Sequence, residues 1–189
     1  NFIAAMNMLE IMGAKIILSD VSKETGQMTP KNLEECIKKN KLNKKAKILV
    51  ISHLGRPKGK EITKLSLNNI SDEFVKVMNI KEITVLPYCR PEVIDSVLKE
   101  KQAGSITLME NIRFYPEEEE NNQKFARELA NVADYFVNDA FSVSHRKHIS
   151  TYSLSNLLPS YLGRSLELEL TMLSKINENI NKPVMAIIG

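Results

Sequence analysis

The sequence predicts an α/β domain in which a parallel sheet is flanked by helices. Three observations carry that expectation. Short apolar runs of strand length lie at 48–51, 83–86, 106–109 and 135–137, stretches with helical spacing separate them, and polar turns follow the carboxyl ends of three of them. Strands that alternate with helices favour parallel pairing, because a parallel neighbour is reached only by a crossover connection.

Each element has a local signal. Phe2, Ile3, Met6, Leu9 and Met12 recur at helical spacing, and Gly13 supplies the stop. Residues 15–18 read as a short buried strand. A turn at 23–26 leads to Thr29 as an N-cap and Pro30 at the first position of a helix whose apolar face is Leu33, Cys36 and Ile37. The stretch 38–47 contains six lysines and reads as a solvated helix end and linker, with a second anion-binding patch as the alternative.

After the strand at 48–51, Ser66 caps a helix carrying Leu67, Ile70, Phe74 and Val77. The strand at 83–86 follows, and Pro91 opens a helix with Val93, Ile94, Val97 and Leu98. Beyond the strand at 106–109 comes a helix around Phe125, Leu129 and Val132, then the strand at 135–137. Leu162, Leu166, Leu173 and Ile176 line one side of a long final helix, and 184–188 reads as a last strand. The chain has no internal repeat and no low-complexity tract.

Length and composition bound the function. A chain of 189 residues buries the core of one domain with room for a fragment of a second. The net charge of +3 is too mild to argue for a nucleic-acid partner, and no apolar stretch is long enough to span a bilayer. Cys36 and Cys89 are too few and too far apart for a disulfide framework or a zinc site, and with no signal-like start they suggest a reducing, cytoplasmic setting. Starting at Asn1 and stopping at Gly189 inside a strand-like pattern, the chain reads as a piece of something longer.

The chemistry-bearing residues cluster behind the strands. Ile51-Ser-His-Leu-Gly-Arg-Pro-Lys-Gly59 places His53, Gly55 and Arg56 just past the run 48–51. Arg113 follows the run 106–109, and Arg146 follows 135–137 between His145 and Lys147. Parallel strands share one carboxyl edge, so groups placed after three of them converge there. An arginine fork binds a phosphate monoester through paired, charge-assisted hydrogen bonds, and three arginines with one imidazole make a phosphate clamp. His145 and His148 lack a third ligand at useful spacing, so no metal site is expected. Asn138 and Asp139 are expected to stiffen their turn through side-chain to backbone bonds, and 117–120 to form a solvated acidic helix entrance with no further role.

The segments "SHLGRPKG", "LMENIRFYPEEEENN" and "YFVNDAFSVSHRKHIST", in this order, closely resemble the amino-terminal domain of phosphoglycerate kinases. The end "GRSLELELTMLSKINENINKPVMAIIG" is similar to the interdomain helix of that family and the strand after it. The resemblance implies a Rossmann-like domain at 47–164 that binds substrate, with 165–189 as interdomain helix and first strand of a second α/β domain before which the fold is cut. It implies that His53, Leu54, Gly55, Arg56, Arg113 and Arg146 hold the 3-phosphate of 3-phosphoglycerate or 1,3-bisphosphoglycerate. The intact family transfers the acyl phosphate to ADP with magnesium, and Mg-ADP or Mg-ATP is not expected to bind tightly to this chain. No complete catalytic set, cofactor site or metal site is expected, and the chain alone is expected to be inactive. The intact family implies a monomer; for this chain, exposed apolar sides of the final helix and last strand imply self-association.

Residues 1–46 fit less well. An early strand with an Arg-Val-Asp-Phe-Asn-like signature and a following arginine are missing, and "NFIAAMNMLEIMGAKIILSDVSKETGQMTPKNLEECIKKN" resembles an internal piece of pyridoxal-phosphate sugar aminotransferases. That piece lacks the lysine-bearing segment, so it implies no pyridoxal chemistry. A fusion near 43–47 is the expectation; an insertion at 19–47 within one kinase-like chain is the alternative, because "AAMNMLEIMGAKIIL" also resembles the helix and strand leading into "SHLGRP". A non-catalytic anion-binding module and an aminotransferase fragment are the other functional readings.

Overall fold

The computed structural model describes residues 15–20, 46–78 and 80–178. Six parallel strands form one sheet: β1 (Lys15–Asp20), β2 (Lys47–Ile51), β3 (Thr84–Val85), β4 (Ile106–Leu108), β5 (Tyr135–Asp139) and β6 (Ser160–Leu162). Their spatial order is β3-β4-β2-β1-β5-β6. The expected parallel α/β architecture is what is found. The helices and strand expected near 2–12, 29–37 and 184–188 lie outside the described residues.

β2 shows why the sheet is buried on both faces. Ile48, Leu49, Val50 and Ile51 are all at most 2% exposed, a continuous apolar run of the kind that covered parallel sheets require. Successive side chains point to opposite faces, so Ile48 and Val50 join Leu67, Phe74, Leu108 and Val137 in one core cluster. Leu49 and Ile51 join Ile94, Leu98, Phe114, Phe125 and Leu129 in another. Phe74 on α1 (Ser71–Met78) is 0% exposed, so truncating it to alanine costs about 3–5 kcal/mol.

The helices follow their sequence signals. α2 (Pro91–Glu100) starts with proline, whose missing N–H is harmless in the first turn, and buries Ile94 and Leu98 one turn apart. Lys47 Nζ donates to the carbonyls of Leu98 and Lys99 at its carboxyl end, at 2.8 and 3.1 Å, tying the start of β2 to this helix. α3 (Pro116–Glu120) is short, and α4 (Gln123–Ala130) is capped by the Asn122 side chain, which accepts from the amides of Lys124 and Phe125. α4 stops before Val132, which is buried from the following turn rather than from the helix.

Two details differ from expectation for a physical reason. Ser66 does cap, but the turn it caps is a 3-10 turn over Leu67–Ile70, and the α-helix begins only at Ser71. β6 pairs Val137 with Tyr161 at the sheet edge, after the short α5 (Leu154–Leu157). Tyr161, half-buried between the exposed Ser160 and Leu162, carries no strand signal of its own; pairing alone makes β6 a strand.

α6 (Arg164–Glu178) closes the described chain. Leu166 is buried, whereas Leu168, Leu170, Met172 and Leu173 are 38–52% exposed; Leu162, expected on one side of this helix with Leu166 and Leu173, instead ends β6, where pairing with Asn138 holds it in the sheet. Among the described residues no helix is long and apolar enough to cross a membrane.

Candidate functional site

The loop after β2 is shaped by Gly55, whose φ of +66° is a conformation that side chains with a Cβ rarely adopt. A Cβ there would also meet Leu65 Cδ2 at 2.9 Å. The turn after β4 is pinned to this loop by Asn111. Its side-chain nitrogen donates to the carbonyls of Leu54 and Leu65, both at 2.8 Å, while its oxygen accepts from the amide of Arg113 at 3.1 Å.

Arg113 lies in a 3-10 turn over Ile112–Phe114 and is only 4% exposed. One guanidinium nitrogen donates to Gly55 O at 3.1 Å, Nε lies 3.7 Å from Glu119, and its own carbonyl accepts from Gly59 N at 3.1 Å. Burial, then the charge of Arg146, pulls its pKa below the usual arginine value, and Arg56 adds to that push. Arginine nevertheless stays protonated in proteins. A buried cation pressed by two others is a strong anion attractor, because a bound anion relieves both the desolvation and the repulsion.

His53 is half-buried at the start of the loop. Burial, followed by the charges of Arg113, Arg146 and His148, lowers its pKa to about 3, so at neutral pH it is an uncharged imidazole with one donor and one acceptor. Arg146 is half-buried beyond the turn Phe141–Val143, its amide donating to Val143 O at 2.9 Å and its carbonyl accepting from Thr151 Oγ1 at 2.7 Å. His148 is also half-buried; burial and then Arg113 lower its pKa. Arg56 is exposed at the mouth. The carboxyl ends of β2, β4 and β5 therefore bring His53, Leu54, Gly55, Arg56, Arg113 and Arg146 into one neighbourhood, and His148 joins them.

Asn138 accepts from the amide of Ala140 at 3.0 Å and donates to Ser144 Oγ at 3.3 Å, stiffening the turn after β5. Asp139 works at longer range. Its Oδ1 accepts from the amide of Leu166 at 2.9 Å, capping α6, and burial raises its pKa. Gly163 lets this happen, since a Cβ there would fall on the Asp139 carboxyl group.

The acidic run departs from its expected solvated role. Glu118 is 2% exposed and its carboxylate accepts from Ser150, while Glu117 pairs with Arg90 at 2.8 Å. Glu118, Ser150 and Asn111 escape sequence reasoning because their partners are distant in the chain, and Thr151 because its bond to the Arg146 carbonyl depends on the fold of the loop between them. The only legible hint was that His148 lies beside a candidate arginine.

Among the described residues no trio of His, Cys, Asp or Glu is placed to hold a metal ion. Three arginines at this edge suit a phosphate ester, and they repel a cation such as magnesium.

Comparison with known proteins points to one family. A family model described as phosphoglycerate kinase matches residues 26–189. The chain is 44% identical over 148 residues to the phosphoglycerate kinase of Wolbachia sp. subsp. Drosophila simulans (strain wRi), covering 78% of this chain and 37% of that protein. It is 44% identical over 144 residues to that of Bartonella bacilliformis (strain ATCC 35685 / KC583 / Herrer 020/F12,63), covering 76% of this chain and 36% of that one. The chain thus spans little more than a third of the length of these relatives. The solved phosphoglycerate kinase of Coxiella burnetii superposes with a TM-score of 0.70 at 28% identity, over 90% of this chain and 44% of that one. The enzyme of Pyrococcus horikoshii OT3 superposes with a TM-score of 0.71 at 22% identity, over 90% and 45%, a likeness of fold. With the family match running across the arginine-bearing turns of β2, β4 and β5, the chain belongs to the phosphoglycerate kinase family.

Proposed function

We propose that this chain supplies the substrate-holding half of phosphoglycerate kinase, gripping the 3-phosphate of 3-phosphoglycerate or 1,3-bisphosphoglycerate with His53, Leu54, Gly55, Arg56, Arg113 and Arg146. The observation that carries this reading is the buried Arg113, braced on Gly55 O and surrounded by the charges of Arg146 and Arg56. In the intact reaction, phosphoryl passes between 1,3-bisphosphoglycerate and ADP with magnesium. Such a transfer depends on alignment and charge neutralisation, so the clamp anchors the phosphoglycerate by its non-reacting 3-phosphate while a nucleotide-holding half presents the other substrate to its C1 carboxyl end. The 189 residues by themselves are expected to bind the substrate without transferring phosphoryl. A cytoplasmic setting fits the free thiol of Cys89.

For the amino-terminal part, one observation favours a single kinase-like chain over the fusion: β1 pairs with β2 on one side and β5 on the other, at the centre of the sheet. The family match from residue 26 covers most of 19–47, so it counts both against an insertion over that whole stretch and against a junction as late as 43–47. The aminotransferase-like residues 1–14 and 21–45 lie outside the described residues.

Titration of the chain with 3-phosphoglycerate, followed by NMR, tests the clamp. Saturable shifts of the His53 and Arg113 resonances are expected, with affinity falling as salt rises from about 50 to about 200 mM because exposed charges are screened. No saturable shift at either residue sinks the reading.

A further inference from the structure

A buried seam lies outside the arginine cluster, behind the segment that carries Arg146. Glu118 on α3 is 2% exposed and Ser150 is 7% exposed. Ser150 donates to both carboxylate oxygens, its amide to Oε2 at 3.0 Å and its hydroxyl to Oε1 at 2.5 Å. A second stitch runs beside the first, where Ser153 Oγ donates to Asn121 Oδ1 at 2.6 Å and accepts from Gln123 Nε2 at 2.9 Å. From Ser150 the link reaches the clamp through one residue, since Thr151 Oγ1 donates to the carbonyl of Arg146 at 2.7 Å. His148 Nδ1 lies 3.9 Å from Glu118 Oε1. At its other end α3 follows the Arg113 turn directly.

We propose that Glu118 is a positioning residue of the phosphate clamp: through Ser150 it fixes the segment 146–153 against the Arg113 turn, so that Arg146 and His148 face Arg113 before ligand arrives. The inference rests on the clamp reading given above and assigns no ligand contact to Glu118 itself. A carboxylate is costly to bury, and an apolar residue would fill the same space at lower cost. What the carboxylate adds is two directed bonds to a single residue of a distant loop.

Charges reach this carboxylate from each side. Arg113 approaches from the preceding turn and Glu119 from the same helix, His148 stands across the seam and itself feels the charge of Arg146, and Glu117 is engaged by Arg90. Burial raises the Glu118 pKa to about 7, against the pull of Ser150 and Arg113. The folded chain therefore holds this proton more tightly than the unfolded one. The resulting stabilisation is full below the ordinary glutamate range and is lost as pH rises through about 7.

The test titrates the 189-residue chain and its variants with 3-phosphoglycerate while following the His148 ring resonances between about pH 5.5 and about pH 8, a window that brackets ordinary histidine titration. Glu118→Ala is expected to bind about tenfold more weakly, the effect of one or two directed hydrogen bonds. Glu118→Gln offers an acceptor to the Ser150 amide and a donor to its hydroxyl, so it is expected to restore affinity to within about threefold. It is also expected to remove the inflection near pH 7 that Glu118 imposes on His148. Unweakened binding by Glu118→Ala, or binding by Glu118→Gln as poor as that of the alanine variant, overturns the proposal.

If Glu118→Ala does not fold, Ser150→Ala decides. It removes one of the two bonds, so about threefold weakening is expected, and unchanged affinity is a refutation. Arg146→Met separates this inference from the one beneath it. If it binds as tightly as the unsubstituted chain, the clamp reading fails and the positioning role falls with it. If it binds weakly while Glu118→Ala does not, only the positioning role fails.

Discussion

Arg113 donates from its guanidinium to the carbonyl oxygen of Gly55 at 3.1 Å, across 58 positions of chain. The bond joins the turn after β4 to the loop after β2, and it shows how two local motifs become one site.

Arg113→Met is expected to weaken 3-phosphoglycerate binding by at least about tenfold, the scale of one charged hydrogen-bonding group. Stability is expected to change by less than about 1 kcal/mol, because relieving a desolvated, repelled cation offsets the lost bond to Gly55. Urea unfolding alongside the ligand titration checks both halves. A variant that binds normally, or one that loses binding only because it unfolds, contradicts this account.

Gly55→Ala forces a Cβ into a left-handed residue and toward Leu65 Cδ2 at 2.9 Å. The expected cost is about 1–2 kcal/mol, with weaker binding because Gly55 O braces Arg113. Equilibrium denaturation with an unchanged midpoint would argue against the loop geometry.

Gly163→Ala is expected to be the more damaging glycine substitution. The new Cβ displaces the Asp139 carboxyl group, and the Leu166 amide at the start of α6 loses its cap. Overpacking together with a lost cap implies about 3 kcal/mol or more. Thermal unfolding reads this directly, and a melting temperature equal to that of the unsubstituted chain would show that Asp139 does not hold α6.

His53 makes a pH prediction. Its folded pKa is depressed from 6.5 to about 3, so protonation opposes folding. The stability linked to this group is full above pH 6.5 and falls as pH drops from there toward 3, by up to about 1.4 kcal/mol per pH unit. His53→Asn should flatten that slope in denaturation measured at several pH values. In the free chain the His53 ring resonances should not titrate at neutral pH, and added 3-phosphoglycerate should raise the pKa by bringing negative charge. A midpoint near 6.5 in the free chain would contradict this.

Much of the fold was legible because its signals are local. The continuous apolar run of β2, the proline opening α2 and the final helix before Glu178 each depend on neighbours a few residues apart. β6 was not legible, because a largely exposed three-residue segment becomes a strand only through its partner β5. At the site, His53, Arg56, Arg113 and Arg146 stood out by residue type and by their position after strands. Glu118 did not, because a glutamate inside an acidic run looks the same whether it faces water or a buried serine.

By itself the sequence determined the alternation of strands and helices, the shared edge to which its basic turns lead, and the family that those turns mark. Periodicity and turn chemistry act over short stretches, so they can be read without a partner. Only the tertiary structure decided that Arg113 is buried against Gly55, that Asn111 ties two loops together, and that Glu118 holds the segment behind Arg146. Those outcomes depend on burial and on hydrogen bonds between residues tens of positions apart, which exist only once the sheet has brought its carboxyl ends side by side.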